Sequence, residues 1–118
     1  MAAKRGRAAS IVAADTDVVI TAEVTSKEFK ITRMLLSNNG AVAVRVRLWD
    51  VFTDSAGDVH SSTVNPILIE DRNLVANETV EILDESGIVT VAGGVTAQST
   101  VGAAFPNDVI VGVWGEFE

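Results

Sequence analysis

The chain has 118 residues, with 16 Asp and Glu against 9 Lys and Arg for a net charge of -7, and it is 47% apolar yet only 5% aromatic. That length suits one domain able to build a core without staples, and the absence of cysteine excludes both a disulfide framework and a thiolate metal site. The acidic balance argues against broad nucleic-acid binding, which relies on clustered Lys and Arg, and the sequence contains no apolar run long enough for a membrane helix.

Charge is unevenly spread. Lys4, Arg5 and Arg7 precede the first acid at Asp15, whereas the chain beyond Arg72 carries seven acids and no Lys or Arg. Residues 1–15 have no sustained periodicity and are expected to form a mobile basic arm rather than a signal peptide. Residues 16–118 are expected to form the folded domain.

From Asp17 to Val24 the run DVVITAEV is β-branched and reads as a strand. Lys27 to Ser37 continues in kind, with Phe29 and Ile31 alternating with polar residues until the pattern slips at Arg33, which predicts a bulge. Asn38-Asn39-Gly40 then reads as a tight hairpin turn into a strand where Val42, Val44, Val46 and Leu48 alternate with Ala43, Arg45, Arg47 and Trp49. The alternation predicts a half-buried antiparallel strand presenting two cations and an indole on its outer face.

Asp54 to Asp58 is a turn by composition, and Val59 to Thr63 is expected as loop or edge. Pro66 confines Ile67-Leu68-Ile69 to the start of a strand or a sheet edge. Asp71-Arg72-Asn73 reads as a turn, and the next strand has Val80 and Ile82 facing in with Thr79 and Glu81 facing out. Asp84 to Gly87 reads as a further turn, followed by short strands at Ile88 to Val91 and Val95 to Val101, a turn at Pro106 to Asp108, and a closing strand from Val109 to Phe117. Gly112 and Gly115 open gaps in that last strand, read as a bend or as close approach of another backbone. Turns at intervals of about ten residues between short β-branched runs predict an all-β fold: a single antiparallel β-sandwich, jelly-roll or immunoglobulin-like, with a short N-terminal arm.

No motif for chemistry stands out. His60 is the sole histidine, close to Asp54 and Asp58 in DSAGDVH, but the segment lacks EF-hand spacing and any nucleophile elbow. Asp and Gly there are ordinary turn residues. Glu116 and Glu118 share a strand face and read as a solvated rim rather than a glycosidase pair. No catalytic residue, cofactor or metal is therefore expected. The contact candidates are Arg45, Arg47 and Trp49 on one strand face, Trp114 and Phe117 on the closing strand, and Lys4, Arg5 and Arg7 of the arm, because Trp and Arg are the residues that centre interfaces.

Three stretches in order, KITRMLLSNNGAVAVRVRLWDV, LVANETVEIL and NDVIVGVWGEFE, together resemble small virion structural proteins of tailed phages and related viruses. The segment from Ile88 to Pro106 departs from that pattern. The resemblance implies a non-enzymatic β-sandwich located in the virion, a capsid decoration or cement protein. Its implied partner is the major capsid protein or another virion protein, and its implied state a homo-oligomer, a trimer before other numbers. A tail or fibre component, and a carbohydrate- or receptor-binding module using Trp49 or Trp114, are the alternatives. Neither membrane nor nucleic acid is expected as a partner.

Overall fold

A computed structural model describes residues 3–11, 15–24, 28–100 and 109–117, without the side chains of residues 3, 85 and 86. The expected turn at Pro106 to Asp108 lies outside the described residues. Among those described the chain is all β, as nine strands: β1 (Ala3–Ile11), β2 (Val18–Thr21), β3 (Phe29–Asn38), β4 (Val44–Thr53), β5 (Val59–His60), β6 (Leu68–Leu74), β7 (Thr79–Thr90), β8 (Gly94–Ser99) and β9 (Val109–Phe117). No helix among the described residues is long and apolar enough to cross a membrane.

The strands form two antiparallel sheets, one ordered β1-β9-β3-β7, the other β2-β8-β4 with β5 and β6 both along the far edge of β4. The pairs β1 with β9, β2 with β8, β3 with β7 and β4 with β6 are those of one long folded-back ribbon. Successive pairs fall in alternate sheets. A double ribbon wound in this way closes as a jelly-roll β-sandwich.

The core lies between the sheets. In β9 Val109, Val111 and Val113 point inward and are at most 1% exposed, and they meet Leu36, Met34, Val46, Leu48 and Leu74 from other strands. Phe29 and Phe117 close one end with ring centroids 4.9 Å apart. Small β-branched side chains on both inner faces let the sheets approach closely, as the low aromatic content anticipates.

Four expectations are corrected. The proposed N-terminal arm is an edge strand: β1 pairs with β9 from Ala3 to Ile11, and Ile11 is fully buried in the core. Its Ala- and Arg-rich sequence has no β preference of its own, so pairing to a ready strand supplies the structure.

The turn at Asn38-Asn39-Gly40 makes no hairpin, because β3 and β4 belong to different sheets. None of these three residues has the positive φ that a tight hairpin requires. Instead the Asn38 side chain, 1% exposed, donates to the carbonyls of Val42, Leu74 and Val75, while its Oδ1 accepts from Gly40 N at 3.0 Å. It thereby anchors the crossing between sheets.

Asp71, Arg72 and Asn73 lie inside β6 rather than in a turn, which comes later around Asn77 at φ 60°. Asp84 to Gly87 interrupts β7 without ending it. In the pairing with β3, Ile88 stands opposite Ile31 and Leu83 opposite Arg33, so the intervening residues form a bulge, with Gly87 at φ 79° donating to Asp84 Oδ1. The bulge expected at Arg33 is present, with shifts against both β7 and β9.

Candidate functional site

Register along the first sheet arranges its outer face in rows. One row runs Lys4, Glu116, Lys30 and Val89 across β1, β9, β3 and β7; the next runs Gly6, Trp114, Arg33 and Leu83; a third runs Ala8, Gly112, Leu35 and Glu81. Trp114 lies flat against this surface. A Cβ at Gly6 would collide with one end of the indole and a Cβ at Gly112 with the other, so these two glycines form the bed on which it rests. Gly115 serves differently: a Cβ there would strike the Lys30 carbonyl beside the β3 bulge. Both gaps are thus close approaches, one to an indole and one to backbone.

The opposite face of the indole is covered by Arg33, whose Cζ sits 4.4 Å from the ring centre and whose guanidinium pairs with Glu81 at 3.2 Å. Beside the indole is an open depression of about 320 Å³, lined by Lys4, Arg5, Gly6, Thr32, Trp114, Gly115 and Glu116. Lys4 and Glu116 are register partners there, so its walls carry both signs of charge.

Arg5 and Arg7 alternate with Lys4 and point to the inner side of the same edge strand, opposite Gly115 and Val113. Arg5 lies 4.4 Å over the Phe117 ring and donates to the Ala22 carbonyl at 2.9 Å, bridging to the other sheet. Partial burial, then the nearby charge of Arg7, lowers the Arg5 pKa; an arginine so placed stays charged at neutral pH. Arg7 is exposed and donates to the Gly6 carbonyl at 3.0 Å.

The outer face of the second sheet is crossed in part by its own chain. After β5, residues 61–67 turn back across the sheet: Ser62 Oγ donates to Asp17 Oδ2 at 2.7 Å, beyond β8, and the Ile67 carbonyl accepts from Asp50 N at 2.9 Å. Trp49 faces that side, outside the central core, yet is only 5% exposed. Arg47 lies over its ring at 5.2 Å, and Arg45 is bound bidentate by Asp71. Hydrogen bonding from Arg45 holds the Asp71 pKa below its usual value, and the same bond raises that of Arg45.

His60 latches this strap. Its ring stacks on Phe52 with centroids 4.3 Å apart, Nε2 lies 3.0 Å from Asp54 Oδ2, and Nδ1 lies 3.0 Å from the Asn65 carbonyl. Both nitrogens face acceptors, which favours the doubly protonated ring. The bond to Asp54 is the main cause that raises the His60 pKa, and in turn lowers that of Asp54. Asp54 Oδ1 accepts from the amides of Ala56 and Asp58, so its carboxylate is engaged as a turn cap. No cluster among the described residues is arranged to hold a metal ion. Asp50, 4% exposed, accepts from Val91 N at 3.1 Å through Oδ2 while Oδ1 finds no partner among the described residues, and burial raises its pKa.

The eight sequence-chosen contact residues therefore divide. Lys4 and Trp114 lie on the outer face of the first sheet, with Arg5 and Arg7 on the inner side of the same edge strand; Arg45, Arg47 and Trp49 lie on the second sheet, where Trp49 is 5% exposed; Phe117 is 9% exposed and packs in the core. Sequence reasoning missed Arg33, Glu81 and Leu83 on the open face, because strand pairing alone brings them beside Trp114. The one available signal was Gly112, two residues before a tryptophan in an otherwise valine-rich strand. No protein-family model and no curated protein matches this chain.

Proposed function

We propose that this chain is a non-enzymatic structural protein of a virion, a decoration or cement protein that binds a shell built of a major capsid protein and stabilises it. One observation carries the reading. On the second sheet Trp49 is 5% exposed, whereas the first sheet leaves a broad face centred on the half-buried Trp114, with Leu83 68% and Val89 54% exposed. A jelly roll with a partly apolar face centred on a tryptophan suits lateral attachment to a repeating surface, and viral coat domains are among the common uses of this architecture. The groups that chemistry would need have structural work: His60 latches the strap and Asp54 caps a turn.

A sugar-binding module is the weaker reading. Trp49 is enclosed, and Trp114 has glycines against one face and Arg33 over the other, so neither offers a bare ring to a pyranose.

The test is mass spectrometry of virions purified from the host that makes this chain, with immunogold labelling of the particles. Peptides of the chain in stoichiometric proportion to the coat, with label over the head, are expected. Label confined to the tail would transfer the proposal to a tail component, and absence of the peptides from clean particles would overturn it.

A further inference from the structure

We infer that copies of this chain join head to tail through the two outermost strands of the first sheet, β1 of one copy adding to β7 of the next. The inference concerns contact between copies and stands whether or not their common partner is a shell.

The edges are electrically complementary. β1, Ala3–Ile11, contains three cations and no acid, while β7, Thr79–Thr90, contains three acids and no cation. They bound the same sheet, at opposite ends of the order β1-β9-β3-β7. Among the described residues, no backbone hydrogen bond outside the strand ladders reaches residues 4–9 or 79–83. An unpaired edge is a template for another strand.

Direction also fits. Every neighbour in this sheet is antiparallel, so β1 runs with β3, and β9 with β7. A second copy set beside the first in the same orientation therefore brings its β1 antiparallel to β7, and the alternation continues without inversion. The bulge after Leu83 limits the smooth part of the β7 edge to residues 79–83. Overlapping those five with residues 4–8 matches inner faces with inner and outer with outer: Lys4 falls opposite Leu83, Arg5 opposite Ile82 and Gly6 opposite Glu81. Lys4 is then diagonal to Glu81, within reach of a long side chain, and its stem covers exposed Leu83.

Like-with-like pairing meets the opposite outcome. Full antiparallel overlap of two β1 strands sets Arg7 against Arg7, and overlap of two 79–83 segments sets Glu81 against Glu81. Facing like charges oppose both. The joint is thus heterologous, and such joints close into rings or run on as filaments.

Light scattering on the full chain over a range of concentrations, at about 0.05 M and about 0.5 M salt, tests this. We expect a mass above one chain at low salt that falls at high salt. Glu81→Lys should weaken association roughly tenfold or more, as should Lys4→Glu with Arg7→Glu, and combining all three changes should restore it. Arg33→Ala removes the partner of Glu81 within the chain but keeps the acid, and should leave the mass unchanged. If Glu81→Lys does not fold by circular dichroism, Glu81→Gln gives the milder form of the same test. A single-chain mass at every concentration in low salt, an oligomer indifferent to Glu81→Lys, or failure of the combined variant to reassociate would each overturn the inference. A monomer that still occurs in virions would overturn it while leaving the shell proposal intact, and an edge-joined oligomer absent from virions would do the reverse.

Discussion

The two outer faces of the sandwich solve one problem in opposite ways. Each carries a tryptophan on a strand whose inner side packs the core. On the second sheet the chain returns as a strap and Trp49 is 5% exposed; on the first, nothing described crosses the face, and Trp114 stays half-buried on Gly6 and Gly112 under a single arginine. The chain buries one indole and only levels the other, although Val19 and Leu68 beside Trp49 remain exposed. Edges follow the same division. Those of the second sheet are the four-residue β2 and the mixed-charge β6, while those of the first are long and of opposite sign.

The comparison breaks most sharply at Trp49. Trp49→Ala should lower the unfolding free energy by about 3–5 kcal/mol, the usual cost of emptying an enclosed aromatic site, measured by urea denaturation. A loss comparable to that of an exposed residue would mean that the strap does not enclose it. Next is the corner that separates the faces. Asn38→Ala takes the donor from the buried Leu74 carbonyl and from two partly buried ones and should cost about 1–3 kcal/mol, read as a lower denaturation midpoint at unchanged slope. Trp114→Ala, on the open face, should cost only about 1 kcal/mol. If it proved as damaging as Trp49→Ala, the contrast between the faces would fail.

The smallest effect is the most local. Because the His60 pKa is raised above 6.5, its contribution to the latch is complete below that unfolded-state value and is lost as pH rises through the folded-state value. For Asp54, depressed below 3.8, the contribution is present above 3.8 and lost as pH falls through the folded-state value. Asp58 and Asp50 also bear on His60, and both favour its charged form. Amide exchange in residues 61–67 should therefore quicken as pH rises past the His60 transition, beyond the intrinsic pH dependence. His60→Gln should remove that step. A strap equally protected on both sides of the transition in the unaltered chain would refute the latch.

Much of the site was legible only as parts. The basic cluster at Lys4, Arg5 and Arg7 and the two tryptophans stand out in the sequence, and so does the gap at Gly112. Their grouping does not, because Gly6 meets Trp114 across more than one hundred residues of chain. Likewise DSAGDVH announces a turn with a histidine beside it, but the donation of that ring to the Asn65 carbonyl depends on where the strap returns.

By itself the sequence determined what is local: an all-β chain, a closing strand from Val109 to Phe117, the slip at Arg33, the turn at Asp54 to Asp58 and the outward Thr79 and Glu81. Period-two alternation and turn chemistry are properties of a few adjacent residues, so they can be read without partners. The tertiary structure alone decided that β1 is a strand, that Asn38 to Gly40 crosses between sheets, that β7 runs through its bulge, and which indole is enclosed. Each depends on pairing between segments far apart in the chain, where the stabilising hydrogen bonds and burial come from residues that no local pattern specifies.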